Sequence, residues 1–391
     1  MNSDAPPLLT QQFILVLVVT AIVGMSFSTY FLLPKFLAVE LAADAATIGG
    51  LSAVSLLASV FCMPIAGVQI DRRGRRLFVC IGALLFAVAC AGYLFVDSVG
   101  PLLWILRLVQ GIAWPLFYLA LSTLATDIAP KARMGQAIGM FGAIMISTNA
   151  LGPALAEWVA GLFGWRAVFA ATVVAALVAA VLARLLPDGH KPQPHAQTTT
   201  MFELVRRPGL KRVLLVTAMV GWAFGAMFTF YQPWALACGF EQVSTFLVAF
   251  AGCAMVVRVG LGGIADRLGR MRVAKAMLLL YIVAILSLVW LPTLGLLLTG
   301  GLLGLAHGIF FPAFNAVAVD YALESERGKA MAAYNGAFNI GFAAGSYLLG
   351  YVAIATSFPT IFLIAAITVA LAFLILVSQP TDPAAARAAH H

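Results

Sequence analysis

Apolar residues in this chain fall into long runs of about 20, the length that crosses a bilayer as a helix, separated by short polar stretches. Twelve runs can be read, at 12–34, 47–68, 76–96, 101–124, 136–160, 165–186, 212–233, 243–264, 273–292, 295–318, 330–353 and 357–378. The first is too long for a signal-peptide core, follows no basic segment and precedes no small-residue cleavage site, so it is expected to remain as a helix. The pattern predicts an all-α membrane protein with 12 transmembrane helices.

The polar stretches carry a repeat. Gly67-Val68-Gln69-Ile70-Asp71-Arg72-Arg73-Gly74-Arg75-Arg76 packs five charges and two glycines between apolar runs, and Gly262-Gly263-Ile264-Ala265-Asp266-Arg267-Leu268-Gly269-Arg270-Met271-Arg272 repeats its Gly-x-x-x-Asp-Arg-x-Gly-Arg spacing 195 positions later. A pattern recurring after half of a 391-residue chain indicates a duplicated unit. In each copy the first glycine lets two backbones approach at a helix end, the second permits a tight turn, and the aspartate can face a helix N-terminus or an arginine. A lone basic turn that merely fixes topology is the alternative; finding two copies in matching places argues against it.

Of the 23 Lys and Arg residues, 19 fall in alternate loops and the C-terminal tail; Lys35 and Arg166 are assigned to loops on the other side, and Arg107 and Arg258 lie within helices. The positive-inside rule then places both termini and both copies of the repeat in the cytoplasm, with the chain in the inner membrane. The longest polar interval contains Pro-Asp-Gly, a Thr run and Met201-Phe202-Glu203-Leu204-Val205-Arg206-Arg207, which has the pattern of a short amphipathic surface helix. The predicted organisation is an N-terminal six-helix bundle over 1–186, a cytoplasmic linker over 187–211, a C-terminal six-helix bundle over 212–379 and a tail over 380–391.

Composition agrees with this picture. The sequence is 63% hydrophobic and 10% charged, against about 25% charged in soluble domains. The net charge of +8 lies in short loops rather than on a soluble basic face, so no nucleic-acid partner is expected. The five cysteines have no paired spacing, and neither a disulfide framework nor a metal site is indicated. No cofactor is expected. His-x-x-x-His, Gly-x-Ser-x-Gly and His-Glu-x-x-His are missing, which argues against an intramembrane enzyme, and without a Gly-x-x-x-x-Gly-Lys-Ser/Thr loop an ATP-driven pump is also disfavoured.

Six plus six helices, internal termini, a central linker and the duplicated loop resemble the major facilitator superfamily of secondary transporters, over essentially the whole chain. The resemblance implies that fold, two pseudo-symmetric six-helix bundles, and a cytoplasmic latch role for Gly67, Asp71, Arg72, Gly74, Arg75 and Arg76 and their repeats Gly262, Asp266, Arg267, Gly269 and Arg270. Arg107-Leu108-Val109-Gln110-Gly111 looks like the Arg-x-x-x-Gly motif of proton-coupled members; an arginine there faces a partner or wet cavity, or snorkels to the headgroups. Gly152-Pro153 is similar to the exporter signature, although Thr148 replaces its preceding glycine and Ala156-Glu157 its closing Gly-Gly. Glu157 is expected either to pair with Arg107, so that protonation frees the arginine, or to meet water at the outer interface. Asp127, Arg133, Asp320 and Arg327, at matching helix ends, read as gate salt-bridge partners or as lone surface charges.

Aligned at an offset of 193, the segments from Gly111 and Gly304 match Trp114 with His307 and Tyr118 with Phe311. The family's cavity-lining helices make Arg107, Trp114, Tyr118, His307, Phe311, Phe314 and Asn315 candidate wall residues, joined by Phe27, Tyr30, Trp222 and Tyr231. Aromatic packing against lipid or neighbouring helices is the alternative for each. His307 is a candidate to bind substrate, to carry the proton or to be a neutral histidine bonded to a backbone carbonyl. The aromatic set favours an apolar or amphiphilic organic substrate. The expected function is proton-coupled export of such a compound by a monomer in contact with lipid, with proton-coupled or facilitated uptake of a metabolite as the alternative. A transporter-like sensor is disfavoured by the short linker.

Overall fold

The computed structural model describes residues 7–188, 200–260, 264–323 and 326–378. Gly262 of the second repeat, most of the linker and the predicted tail lie outside the described residues, as does the side chain of Asp266. The regular structure described is helical: α1 (Gln11–Thr29), α2 (Leu33–Val39), α3 (Ala45–Arg73), α4 (Arg75–Gly92), α5 (Pro101–Asp127), α6 (Met134–Phe163), α7 (Trp165–Ala183), α8 (Met201–Arg206), α9 (Pro208–Ala237), α10 (Ser244–Gly260), α11 (Ile264–Leu268), α12 (Arg270–Val289), α13 (Leu291–Asp320), α14 (Arg327–Ala355) and α15 (Phe358–Val377).

Each of the twelve predicted runs falls on a helix. Among the described residues eleven spans are long and apolar enough to cross a membrane, and the 17 described residues of α10 are apolar too. The chain is therefore a multi-pass membrane protein. Helices α6 and α9 reach 30 residues, or about 45 Å, well beyond a hydrocarbon core of about 30 Å, while α13 is broken by a kink at Gly295. The apolar pattern marks only the part inside lipid, which is why the observed helices outrun it. Lys35, assigned to a loop by its charge, is helical instead: the first span continues through a 3-10 turn at Tyr30–Leu32 into α2. The expected surface helix in the linker is α8, whose Thr200 and Glu203 form a reciprocal capping box.

Two compact units emerge from the packing, one of Met1–Ala43 with Leu57–Pro194 and one of Asp44–Leu56 with His195–His391. Within the first, α4 packs on α5 and α7, and α1 on α6 and α7. Within the second, α12 packs on α13 and α15, and α9 on α14 and α15. The same helix pairs are thus used at corresponding places in the two units.

Lipid is as apolar as leucine, so helices in a bilayer associate through close packing and polar contacts, and small residues let backbones touch. The seam of α9 and α14 shows this most clearly. A Cβ at Gly221 would collide with the carbonyl oxygen of Phe338, at Gly225 with that of Phe342, at Gly341 with that of Ala218 and at Gly345 with that of Trp222. Two Gly-x-x-x-Gly pairs interlock reciprocally. In the first unit α1 and α6 repeat the seam with polar substitutes: Gly24 meets Thr148, Gly152 meets Ser28 and the Met25 carbonyl, and Ser28 Oγ donates to the Thr148 carbonyl at 2.6 Å. Thr148 stands where the exporter pattern has glycine, and here it faces Gly24 and helps to form the seam. Replacing Gly221 or Gly341 with Val is expected to cost about 1–3 kcal/mol through overpacking, read as a lower thermal midpoint in detergent. Gly336→Ala, where a Cβ has open space, serves as the control and is expected to hold or raise the midpoint.

Candidate functional site

The two copies of the basic motif fold alike where both are described. Gly74 (φ 96°) separates α3 from α4, and Gly269 (φ 92°) separates α11 from α12. Both backbones occupy the positive-φ region that a side chain disfavours. Each turn delivers the next arginine onto an aspartate at a helix end. Arg75, 3% exposed, sits with Nε 3.0 Å from Asp127 Oδ2 and Nη2 3.4 Å from Asp71 Oδ1, and Arg270 Nη1 donates to Asp320 Oδ1 and Oδ2 at 3.1 and 3.0 Å.

Asp127 and Asp320, expected to form gate pairs beside Arg133 and Arg327, are therefore taken by the motif arginines of their own units. Arg133 closes the 3-10 turn at Lys131–Arg133 and Arg327 opens α14. Arg76 pairs with Asp188 at 3.2 Å on a half-exposed surface, while Arg72 and Arg267 are exposed. Gly67 differs from the expectation of close helix approach, since a Cβ there would meet open space.

An ion pair that the sequence did not reveal lies beside the second motif. Arg207, the N-cap of α9, binds Glu326 bidentately at 2.7 and 2.9 Å, and Glu326 also accepts from the Leu323 backbone N–H. Glu326 is 2% exposed and Arg207 26%. The residues are 119 positions apart, and no local pattern joins them.

In the first unit Phe27 stacks on Trp114 (3.9 Å between ring centres), which stacks on Tyr118 (4.9 Å), giving a half-buried aromatic ladder on α1 and α5. Tyr30, expected on the same wall, is instead packed inside the bundle against Tyr93 and Phe169, with its hydroxyl 3.3 Å from Thr172 Oγ1. It was a candidate because the family's cavity-lining helices include the first, and it sits instead in the 3-10 turn that ends α1. Arg107 Nη1 donates to Gln110 Oε1 at 3.0 Å, which also accepts from the Tyr93 hydroxyl at 3.2 Å. The cation on Glu157 is Lys35, at 2.6 Å, rather than the expected Arg107. Lys35 reaches it because the first span stays helical past Tyr30. Gly152 and Pro153 are buried within α6.

The second unit assembles the expected residues more tightly. His307 lies among Phe224 (4.6 Å between ring centres), Phe311 (5.0 Å), Phe338 (5.7 Å) and Phe250 (5.9 Å), and its Nδ1 is hydrogen-bonded to the Tyr281 hydroxyl rather than to a backbone carbonyl. Phe311 also meets Tyr334, whose hydroxyl donates to the Phe311 carbonyl at 3.0 Å. Two expected wall residues are core instead: Phe314 packs on Phe310, and Tyr231 stacks on Phe246 at 4.1 Å, both fully buried. Trp222 and Asn315 are half-buried, with Trp222 Nε1 and Asn315 Oδ1 enclosed and lacking a hydrogen-bond partner among the described residues. Phe224, Phe250, Phe338 and Tyr281 were missed, because each is one apolar residue among many on a span and their convergence needs the tertiary fold.

The model of the Major Facilitator Superfamily matches residues 15–300 and 292–390. Similar solved structures include a mutant form of the nucleoside transporter NupG (15% identity, TM-score 0.81, covering 94% of this chain and 99% of that one) and the human organic anion transporter MFSD10 (17%, 0.69, 95% and 100%). A bacterial homologue of the human lysosomal transporter Spinster, in an inward-facing and occupied conformation, is also similar (14%, 0.75, 93% and 95%). At these identities the likeness establishes the fold.

The Arg207–Glu326 pair yields an asymmetric expectation. Arg207→Ala leaves a buried carboxylate uncompensated and is expected to cost about 3 kcal/mol or more. Glu326→Gln leaves a partly exposed guanidinium and is expected to cost less, both read by thermal unfolding in detergent.

Proposed function

We propose that this chain, which belongs to the Major Facilitator Superfamily, is a proton-coupled exporter of apolar or amphiphilic aromatic compounds, working by alternating access from the inner membrane with both termini in the cytoplasm. Membership makes it a secondary transporter. Transporters of this superfamily are built from two repeated halves, with substrate taken near the middle of the membrane. The observation that carries the substrate class is a pair of aromatic surfaces, the half-buried Phe27–Trp114–Tyr118 ladder in one unit and, in the other, the half-buried His307 and Phe311 backed by the buried Phe224 and Phe338. Each offers flat apolar area beside few polar groups, the composition of a site for an organic ring rather than a sugar or inorganic ion.

Glu157 is the carboxylate we assign to the proton. It is 9% exposed and held by Lys35, so protonating it releases a half-buried cation, a local change that can bias two conformations. Arg107, fixed by Gln110 and Tyr93, supplies the second charge on that side of the cycle. The motif arginines act as latches at the cytoplasmic helix ends, Arg75 on Asp127 and Arg270 on Asp320, and the working unit is a monomer. Uptake of a metabolite by the same fold is the second reading. It is favoured by Thr148 in place of the exporter glycine and by the likeness to a nucleoside transporter.

Flux of lipophilic aromatic dyes into inside-out vesicles, with and without an imposed pH gradient, tests the proposal. Export predicts dye accumulation that collapses with a protonophore. Glu157→Gln is expected to lose gradient-driven accumulation by about tenfold or more while retaining counterflow. Accumulation indifferent to the gradient, or to Glu157→Gln, would remove the coupling assignment, and gradient-driven movement in the opposite direction would favour uptake.

A further inference from the structure

The surroundings of His307 fix which of its nitrogens carries the proton. Tyr281, on α12, is fully buried and directs its hydroxyl at His307 Nδ1. If Nδ1 donated, the tyrosine hydrogen would need another acceptor, and among the described residues the hydroxyl has no second partner. A buried O–H without an acceptor costs about 1–3 kcal/mol. The hydroxyl therefore donates, Nδ1 accepts, and the neutral ring keeps its hydrogen on Nε2. The ring is half-buried, and Phe224, Phe250, Phe311 and Phe338 surround it on three other helices and its own.

Resting on the transport reading above, we propose that His307 Nε2–H is a hydrogen-bond donor to the substrate, that Tyr281 is the positioning residue that holds it as a donor, and that the preferred substrate is a planar aromatic bearing a carbonyl oxygen or ring nitrogen. The phenylalanines supply offset or edge contacts to the flat ring. The single N–H selects among flat rings, since a donor left unpaired beside a ligand without an acceptor is a penalty that an apolar wall does not impose. Tyr281 lies on α12, one helix behind the aromatic surface of α9, α13 and α14, and reaches substrate only through the imidazole.

Two measurements on the purified full chain decide this. With histidine labelled by nitrogen-15, the signals lost in His307→Gln identify the ring; the wild type is expected to show an unprotonated Nδ1 and a protonated Nε2, and Tyr281→Phe a mixture of tautomers. A proton on Nδ1, or a spectrum unchanged by Tyr281→Phe, overturns the positioning role. The second measurement is equilibrium binding of coumarin, a two-ring carbonyl compound, against naphthalene, which has two rings and no acceptor. Coumarin is expected to bind about threefold to tenfold more tightly, the range one net hydrogen bond supplies. That preference is expected to vanish in His307→Leu, to shrink in Tyr281→Phe, where part of the imidazole still carries its hydrogen on Nε2, and to persist in His307→Gln, whose amide keeps an N–H. A preference surviving His307→Leu, equal affinities, or no saturable binding of either compound overturns the recognition role. Dye flux in vesicles that persists alongside such a failure would leave the transport reading standing and remove only this assignment.

Discussion

Backbone-to-backbone contact at glycine is the constraint on which this structure most depends. Inside lipid a helix satisfies its own peptide groups, and burying leucine against leucine gains little over leucine against acyl chain. Something else must bring helices into fixed register. At α9 and α14 it is the reciprocal approach of Gly221 and Gly225 to the carbonyls of Phe338 and Phe342, and of Gly341 and Gly345 to those of Ala218 and Trp222. Gly300 and Gly304 of α13 approach the Phe246 and Phe250 carbonyls of α10 in the same way. One seam pairs α9 with α14 and the other pairs α10 with α13, and phenylalanines from all four helices meet at His307.

The charged positions add directionality to that frame. Arg75 and Arg270 each follow a glycine in the positive-φ region and each engages an aspartate at the end of the neighbouring long helix, Asp127 or Asp320. Arg75 is almost wholly buried, where an unpaired guanidinium would be costly, and Arg270 is more exposed, where pairing is worth less. The described motif pairs thus differ in burial, and the second unit has the additional Arg207–Glu326 pair.

Much of the fold was legible in the sequence because membrane-spanning helices announce themselves by length and hydropathy, and because the repeat was written in glycines and arginines that few other structures require. The family's cavity-lining helices supplied the residues of the Phe27–Trp114–Tyr118 ladder and the Phe311–His307 contact as candidates, and helical spacing put Trp114 with Tyr118 and His307 with Phe311 on shared faces; the contacts themselves come from the structure. The family's cavity-lining assignment failed where the helix changed character: past the 3-10 turn at Tyr30 that side chain lies inside the bundle, and the continuing helix brings Lys35 to Glu157. It also failed where a residue faced its own bundle, as Tyr231 and Phe314 do, since a 3.6-residue period does not distinguish a substrate wall from a core seam. Contacts between distant segments, such as Arg207 with Glu326 or Tyr281 with His307, leave no local trace.

The proposed orientation, with the basic turns of both units facing the cytoplasm, is open to a direct test. Single cysteines introduced as Arg72→Cys and Arg267→Cys, both exposed positions, in a chain with its five native cysteines replaced, can be probed with a membrane-impermeant maleimide. Labelling of both in inside-out vesicles and of neither in intact cells is the expected result. Labelling of one from each side would contradict the duplication and the transport cycle built on it.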